Sequence, residues 1–143
     1  MKYKYNDGGR KWAGYRGQGG DCVVRAIAIA TNQHYRNVRR EMDAMAKEMT
    51  GGLRPSCANG TPEPVSYKYL TDRGWNLVLT RGQYLKDLPK MGTYIVCLAT
   101  RRHDVAVING TAHDTWNCTK TRRTKNGSPT MKGYYTLKCP PTI

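Results

Sequence analysis

At 143 residues, 38% hydrophobic and 24% charged, with no low-complexity block, the chain has the size and apolar content of one folded domain. That excludes a disordered or collagen-like polymer. Twenty-four Lys and Arg against ten Asp and Glu give a formal net charge of +14, which favours anionic partners such as nucleic acid, anionic surfaces or acidic proteins without specifying a chemistry.

In chain order, the start MKYKYNDGGRKW is basic with no apolar segment behind it. A secretory signal is therefore not expected, and a cytoplasmic location is. Residues 1–20 mix Gly, Tyr, Lys and Arg without helical or strand period and read as an extended basic and aromatic arm, leaving residues 21–143 as a single domain. From Asp21, the expected N-cap, the run DCVVRAIAIAT puts Cys22, Val23, Ala26, Ile27 and Ala30 on one face of a buried helix. It is well short of the roughly 20 apolar residues of a membrane span, so no membrane contact is expected. A polar break at TNQH, with His34 at the surface, precedes a second helix over Tyr35 to Met49, ended by Gly51-Gly52. A Gly- and Pro-containing loop over residues 51–65 leads to a short helix in VSYKYLTDRG.

Strands follow at Trp75 to Thr80, Thr93 to Ala99 and His103 to Asn109, then, after the hairpin signal Asn109-Gly110, at TAHDTW and GYYTLK. Helices first and an antiparallel sheet second is the α+β order. The five cysteines, Cys22, Cys57, Cys97, Cys118 and Cys139, contain no CxxC pair, so reduced thiols are expected and a zinc ribbon or finger is not. Cys97, inside YIVCLA, reads as buried packing.

Cys22 stands at the first turn of the apolar helix, where free amides and the positive end of the helix dipole favour an anion. Gly19 and Gly20 before it would let a substrate backbone approach. A thiol nucleophile needs a base. If Asn109 and Gly110 form a two-residue turn, Ile108 faces Thr111, Ala106 faces His113, Val105 faces Asp114 and His103 faces Trp116. His103 then shares a face with Val105, Val107 and its diagonal neighbour Asp114, at a spacing of about 7–8 Å that the two side chains bridge. His113 falls on the opposite face and is excluded. The valines imply that the His103 face looks toward the core on which the central helix packs. Cys22 as nucleophile, His103 as base and Asp114 as orienting acid form an ordered set. Oxyanion donors would come from the Cys22 amide and the side chain of Gln18.

With Cys opening a buried helix and His and Asp on successive strands, the chain resembles the papain-like cysteine peptidase and transglutaminase superfamily. More narrowly, GDCVVRAIAIAT and RRHDVAVINGTAHDTWN are similar to segments of small proteins encoded by tailed bacteriophages. The resemblance implies a papain-like fold, with a buried N-terminal helix on an antiparallel sheet of about four to five strands. It also implies Cys22, His103 and Asp114 as catalytic residues with Gln18 as oxyanion donor, no cofactor, and a host-cytoplasm setting.

Two functions stay open. One is a thiol hydrolase or acyl transferase acting on an amide, isopeptide or thioester, with a protein or peptide substrate that the charge would favour as acidic. The other is a catalytically inactive papain-like binding protein holding nucleic acid or an acidic host protein. For the second, Lys120, Arg122, Arg123 and Lys125 form a solvated loop around Asn126-Gly127, with Tyr134 and Tyr135 nearby for base stacking. Trp116 is assigned to core packing, with substrate stacking as the alternative. Metal-assisted hydrolysis through Cys22, His103 and Asp114 lacks a fourth ligand, and no metal is expected.

Overall fold

The computed structural model describes residues 1–16, 19–99 and 102–137. Helix α1, Cys22–Thr31, buries Val23, Val24, Ala26, Ile27 and Ala28. Its apolar stripe is wide enough to be covered on most sides, which makes it the central helix. It stops at Asn32, whose left-handed backbone lets its amide reach the carbonyls of Ala28 and Ile29. Helix α2, Tyr35–Met49, buries Tyr35, Val38, Met42 and Ala46, while Arg36, Arg40 and Lys47 are exposed. Helix α3, Glu63–Thr71, begins slightly earlier than the apolar pattern suggests, because Pro64 fits a first helical turn that needs no amide donor.

Six strands make one sheet: β1 (Lys2–Tyr5), β2 (Trp75–Leu79), β3 (Thr93–Leu98), β4 (His103–Ile108), β5 (Thr111–Asp114) and β6 (Met131–Leu137). They lie in the order β1-β5-β4-β3-β6-β2. The α+β class is as expected, but the sheet is mixed and six-stranded, not antiparallel with four to five strands. The added strand, β1, pairs in parallel with β5. KYKY offers only Tyr3 and Tyr5 as apolar alternation, and a pairing with residues more than a hundred positions away leaves no local signal. Tyr3 lies opposite Ala112, and its hydroxyl donates to the Asp114 carbonyl at 3.2 Å. Residues 8–14 are turns rather than extended chain, and Ala13 is buried.

Both faces of the sheet are covered. On one, Ile95, Ala106 and Tyr135 meet the buried side of α1 and the other helices. On the other, Val96, Val105, Val107 and Met131 pack with Leu85, Leu88 and Cys118. The helix therefore covers the Ala106 face, whereas the sequence reading placed it over Val105 and Val107. A strand buried on both sides is apolar at successive positions, so its pattern does not say which face takes the helix. Small Ala106 admits the close approach. Among the described residues, no helix is long and apolar enough to cross a membrane.

Candidate active site

The hairpin sets the geometry. Asn109 and Gly110 both have positive φ, 48° and 78°, as a two-residue turn of the type that matches strand twist requires. The register is the expected one, with Ile108 opposite Thr111, Val107 opposite Ala112 and Ala106 opposite His113. His103 opens β4 and Asp114 closes β5, so the two meet at one end of the sheet. The His103 ring donates from Nε2 to Asp114 Oδ2, and both residues are buried. Asp114 Oδ1 accepts from the Thr115 amide at 2.7 Å and faces the Arg25 guanidinium at 3.7 Å. With Nε2 committed to the carboxylate, Nδ1 is the nitrogen left for a thiol.

Helix α1 is fastened to the same corner by charge. Asp21 occupies the N-cap position, but its side chain makes no capping bond. The carboxylate instead faces Arg10 at 3.0 Å and Arg25 at 3.5 Å, and accepts from the Tyr35 hydroxyl. Asp21 is thus the N-cap by position, as expected, but two guanidiniums and a phenol, not the local amide, take its fully buried carboxylate. Arg25 bridges Asp21 and Asp114 and also reaches the Thr115 hydroxyl at 3.3 Å, which ties the start of α1 to the end of β5. The two glycines serve the chain itself. A Cβ on Gly20 would lie 3.1 Å from the Asn59 backbone, with which Gly20 forms a bridge. A Cβ on Gly19 would collide with the Asp21 carboxylate at 2.2 Å.

Cys22 is half-buried at the first position of α1. Burial disfavours the charged ring, but hydrogen bonding to Asp114, Cys118 and Cys22 outweighs it and pushes His103 up to about 11. A cationic imidazole bonded to a carboxylate on one side and open to thiols on the other is the arrangement that thiol chemistry uses. The sequence reading missed Cys118, a buried thiol pushed up mainly by burial. Its Sγ, a ring nitrogen of His103 and a carboxylate oxygen of Asp114 lie within 4.8 Å of one another. These three, without Cys22, form a group of ligating type, although the imidazole and carboxylate are bonded to each other. The position of Cys118 four residues past Asp114 was the available signal, but the turn at residues 115–119 that brings it back has no periodicity.

A cleft of about 730 Å³ leads away from the ring. Its walls include His103, Trp116, Cys118, Lys120, Arg122 and Arg123. Cys22 is not part of this lining, and neither is Lys125. Trp116, assigned to the core, is 40% exposed and lies over the His103 ring with centroids 4.8 Å apart. Chain bending after Asp114 takes it out of the ladder and beside the cleft. Tyr134 packs edge-on against Tyr94, and Tyr135 is buried in the helix-side core, so neither offers a face for base stacking. His113 is bonded to Asn6 on the excluded side, and His34 is exposed against Trp12. Cys97 is half-buried and packed on the helix-side core, with its thiol pushed up by burial. Gln18 and Cys139 lie outside the described residues. In comparisons with known proteins, the chain matched no family model, no curated protein and no solved structure.

Proposed function

We propose that the protein is a papain-like thiol hydrolase or acyl transferase that uses Cys22 as nucleophile, His103 as general acid and base, and Asp114 to orient the ring. The observation that carries this reading is the buried His103–Asp114 pair, bonded through Nε2, at the corner where Arg25 ties Asp114 to Asp21 at the start of the helix that Cys22 opens. Cys22 is preferred to Cys118 because it is the more accessible of the two thiols and begins a helix.

In the proposed reaction the Cys22 thiolate adds to the carbonyl carbon of an amide, isopeptide or thioester. First-turn amides of α1, which have no partner within the helix, receive the developing oxyanion. The imidazolium gives its Nδ1 proton to the leaving nitrogen or sulfur, and an acyl-thioester on Cys22 results. Nδ1 then takes a proton from water as its oxygen adds to the thioester. Collapse releases the carboxylic acid and restores the thiolate and imidazolium; an amine in place of water makes the reaction a transfer. Asp114 holds the ring in position throughout and stabilises its charged form before the acyl-thioester forms and after it is resolved. A bacterial cytoplasm is the setting that the resemblance to phage proteins implies for this activity.

Alkylation by iodoacetamide at mildly acidic pH, read cysteine by cysteine by mass spectrometry, tests the reading. Cys22 should react fastest, and His103→Ala should slow it by about a hundredfold or more, the scale of a lost acid–base partner. Equal labelling of Cys22 and Cys57 would overturn it.

A further inference from the structure

The cleft that starts at His103 is basic where it leaves the ring, and this bears on what the proposed thiol site accepts. We propose that the site acts on acyl groups carried by acidic peptide segments, whose carboxylates are held by Lys120 and Arg122 with Arg123 beside them. The proposal rests on the thiol-hydrolase reading and adds its substrate class.

No Asp or Glu occurs between residue 115 and residue 143, so the cleft loop has no carboxylate of its own. Lys120 and Arg122 are exposed and line the cleft. Among the described residues, neither makes an ion pair. A guanidinium and an ammonium held this way suit carboxylates, the first through a planar fork and the second as a point charge.

The loop is also held in shape. The Thr121 amide donates to the Gly127 carbonyl at 2.8 Å, the Thr124 hydroxyl to the Ser128 carbonyl at 2.6 Å, and the Ser128 amide to Asn126 Oδ1 at 3.0 Å. Its far end is tied down through the Lys86 amide to the Ser128 hydroxyl and the Leu85 amide to the Pro129 carbonyl. Its basic groups are therefore presented on a preformed wall, so less ordering cost falls on binding.

Nucleic acid would answer the same charge, but two observations favour a peptide. Tyr134 is half-buried edge-on against Tyr94, Tyr135 is buried and neither lines the cleft, which leaves Trp116 as the one exposed aromatic lining it among the described residues. In addition, the cleft is lined by His103, the proposed acid and base, whose chemistry here requires an acyl carbon that a nucleic-acid backbone does not have.

Two measurements on the full chain test this. The first is equilibrium binding of a fluorescent, unreactive Glu-rich peptide, with its Gln counterpart as control. The second is alkylation of Cys22 by bromoacetyl peptides bearing Glu, Gln or Lys next to the reactive group. Binding should favour Glu over Gln, and alkylation should run Glu, Gln, Lys from fastest to slowest, by about tenfold between the first two at low salt and far less at high salt. Lys120→Ser with Arg122→Ser should abolish both preferences. Arg40→Ser with Lys47→Ser, the same charge change made on the exposed side of α2, should keep them.

Equal handling of Glu and Gln peptides, loss of the preference in both double variants, or a single-stranded oligonucleotide that displaces the Glu peptide at lower concentration than the peptide itself would overturn the substrate class. If the peptide binds as described while Cys22 reacts no faster than Cys57 with iodoacetamide, the acidic cleft stands and the thiol-hydrolase reading falls.

Discussion

His103 is the residue on which the site's chemistry turns. A ring this buried would ordinarily shed its proton, since burial penalises the charged form. Here hydrogen bonding to Asp114, Cys118 and Cys22 overrides burial and pushes the ring up to about 11. His113, one strand away, shows the ordinary outcome, being pushed down by burial and by Lys4. Nitrogen chemical shifts of the two rings in slightly alkaline solution should therefore report an imidazolium at His103 and a neutral ring at His113. Asp114→Asn should neutralise His103 under the same conditions and slow Cys22 alkylation by about tenfold or more. A neutral His103 in the unaltered chain would show that burial wins. His103 and Asp114 were legible in the sequence because one turn signal, Asn109-Gly110, fixes every facing pair in the hairpin. Cys118 was not, because it returns to the ring through a bend that follows no period.

At the scale of elements, the question is what holds α1 against the end of the sheet. Apolar packing covers its buried stripe, but its first turn is located by Arg25, which is 8% exposed and shared between Asp21 and Asp114. Removing one member of a buried ion network leaves the others with less counter-charge than their burial requires, here with only Arg10 on Asp21 and His103 on Asp114. Arg25→Met should cost about 3–5 kcal/mol in urea unfolding. It should also reduce Cys22 labelling in the folded fraction, because the helix start is no longer tied to β5. A loss below about 1 kcal/mol, the scale of an exposed pair, would mean that Arg10 and Tyr35 suffice. Gly110 tests the other element. Its φ of 78° suits glycine, so Gly110→Ala should destabilise by about 1 kcal/mol while leaving the hairpin register readable by cross-strand contacts in NMR. The helices and the antiparallel hairpin could be read from local pattern. Parallel β1 could not, and neither could the choice of the Ala106 face for α1, since both depend on which distant surface is available.

For the whole molecule, pH dependence brings local and global charge into opposition. Of the groups whose ordinary pKa lies below neutrality, two bind their protons more tightly in the folded chain. Asp104 is pushed up from 3.8 to about 6, mainly by burial and with Glu63 adding to it, against His103, Cys97 and Lys132. His103 is pushed up from 6.5 to about 11. A group raised on folding stabilises fully below its unfolded value, and that contribution is lost as pH rises through its folded value. Asp104 thus gives up its share between 3.8 and about 6, and His103 does so from 6.5 toward about 11. For a single proton the limiting slope is about 1.4 kcal/mol per pH unit. The +14 charge acts the other way, because self-repulsion eases as lysines discharge near their usual pKa of about 10. Tyr35, pushed up to about 12 by burial and its bond to Asp21, adds to the loss only above the ordinary tyrosine range. From neutrality to about pH 9 the histidine should therefore dominate, and urea midpoints should fall as pH rises. His103→Gln should be less stable at neutral pH, yet show a flat or rising profile across that interval. Parallel profiles for the two chains would mean that the imidazolium is not what couples this fold to pH.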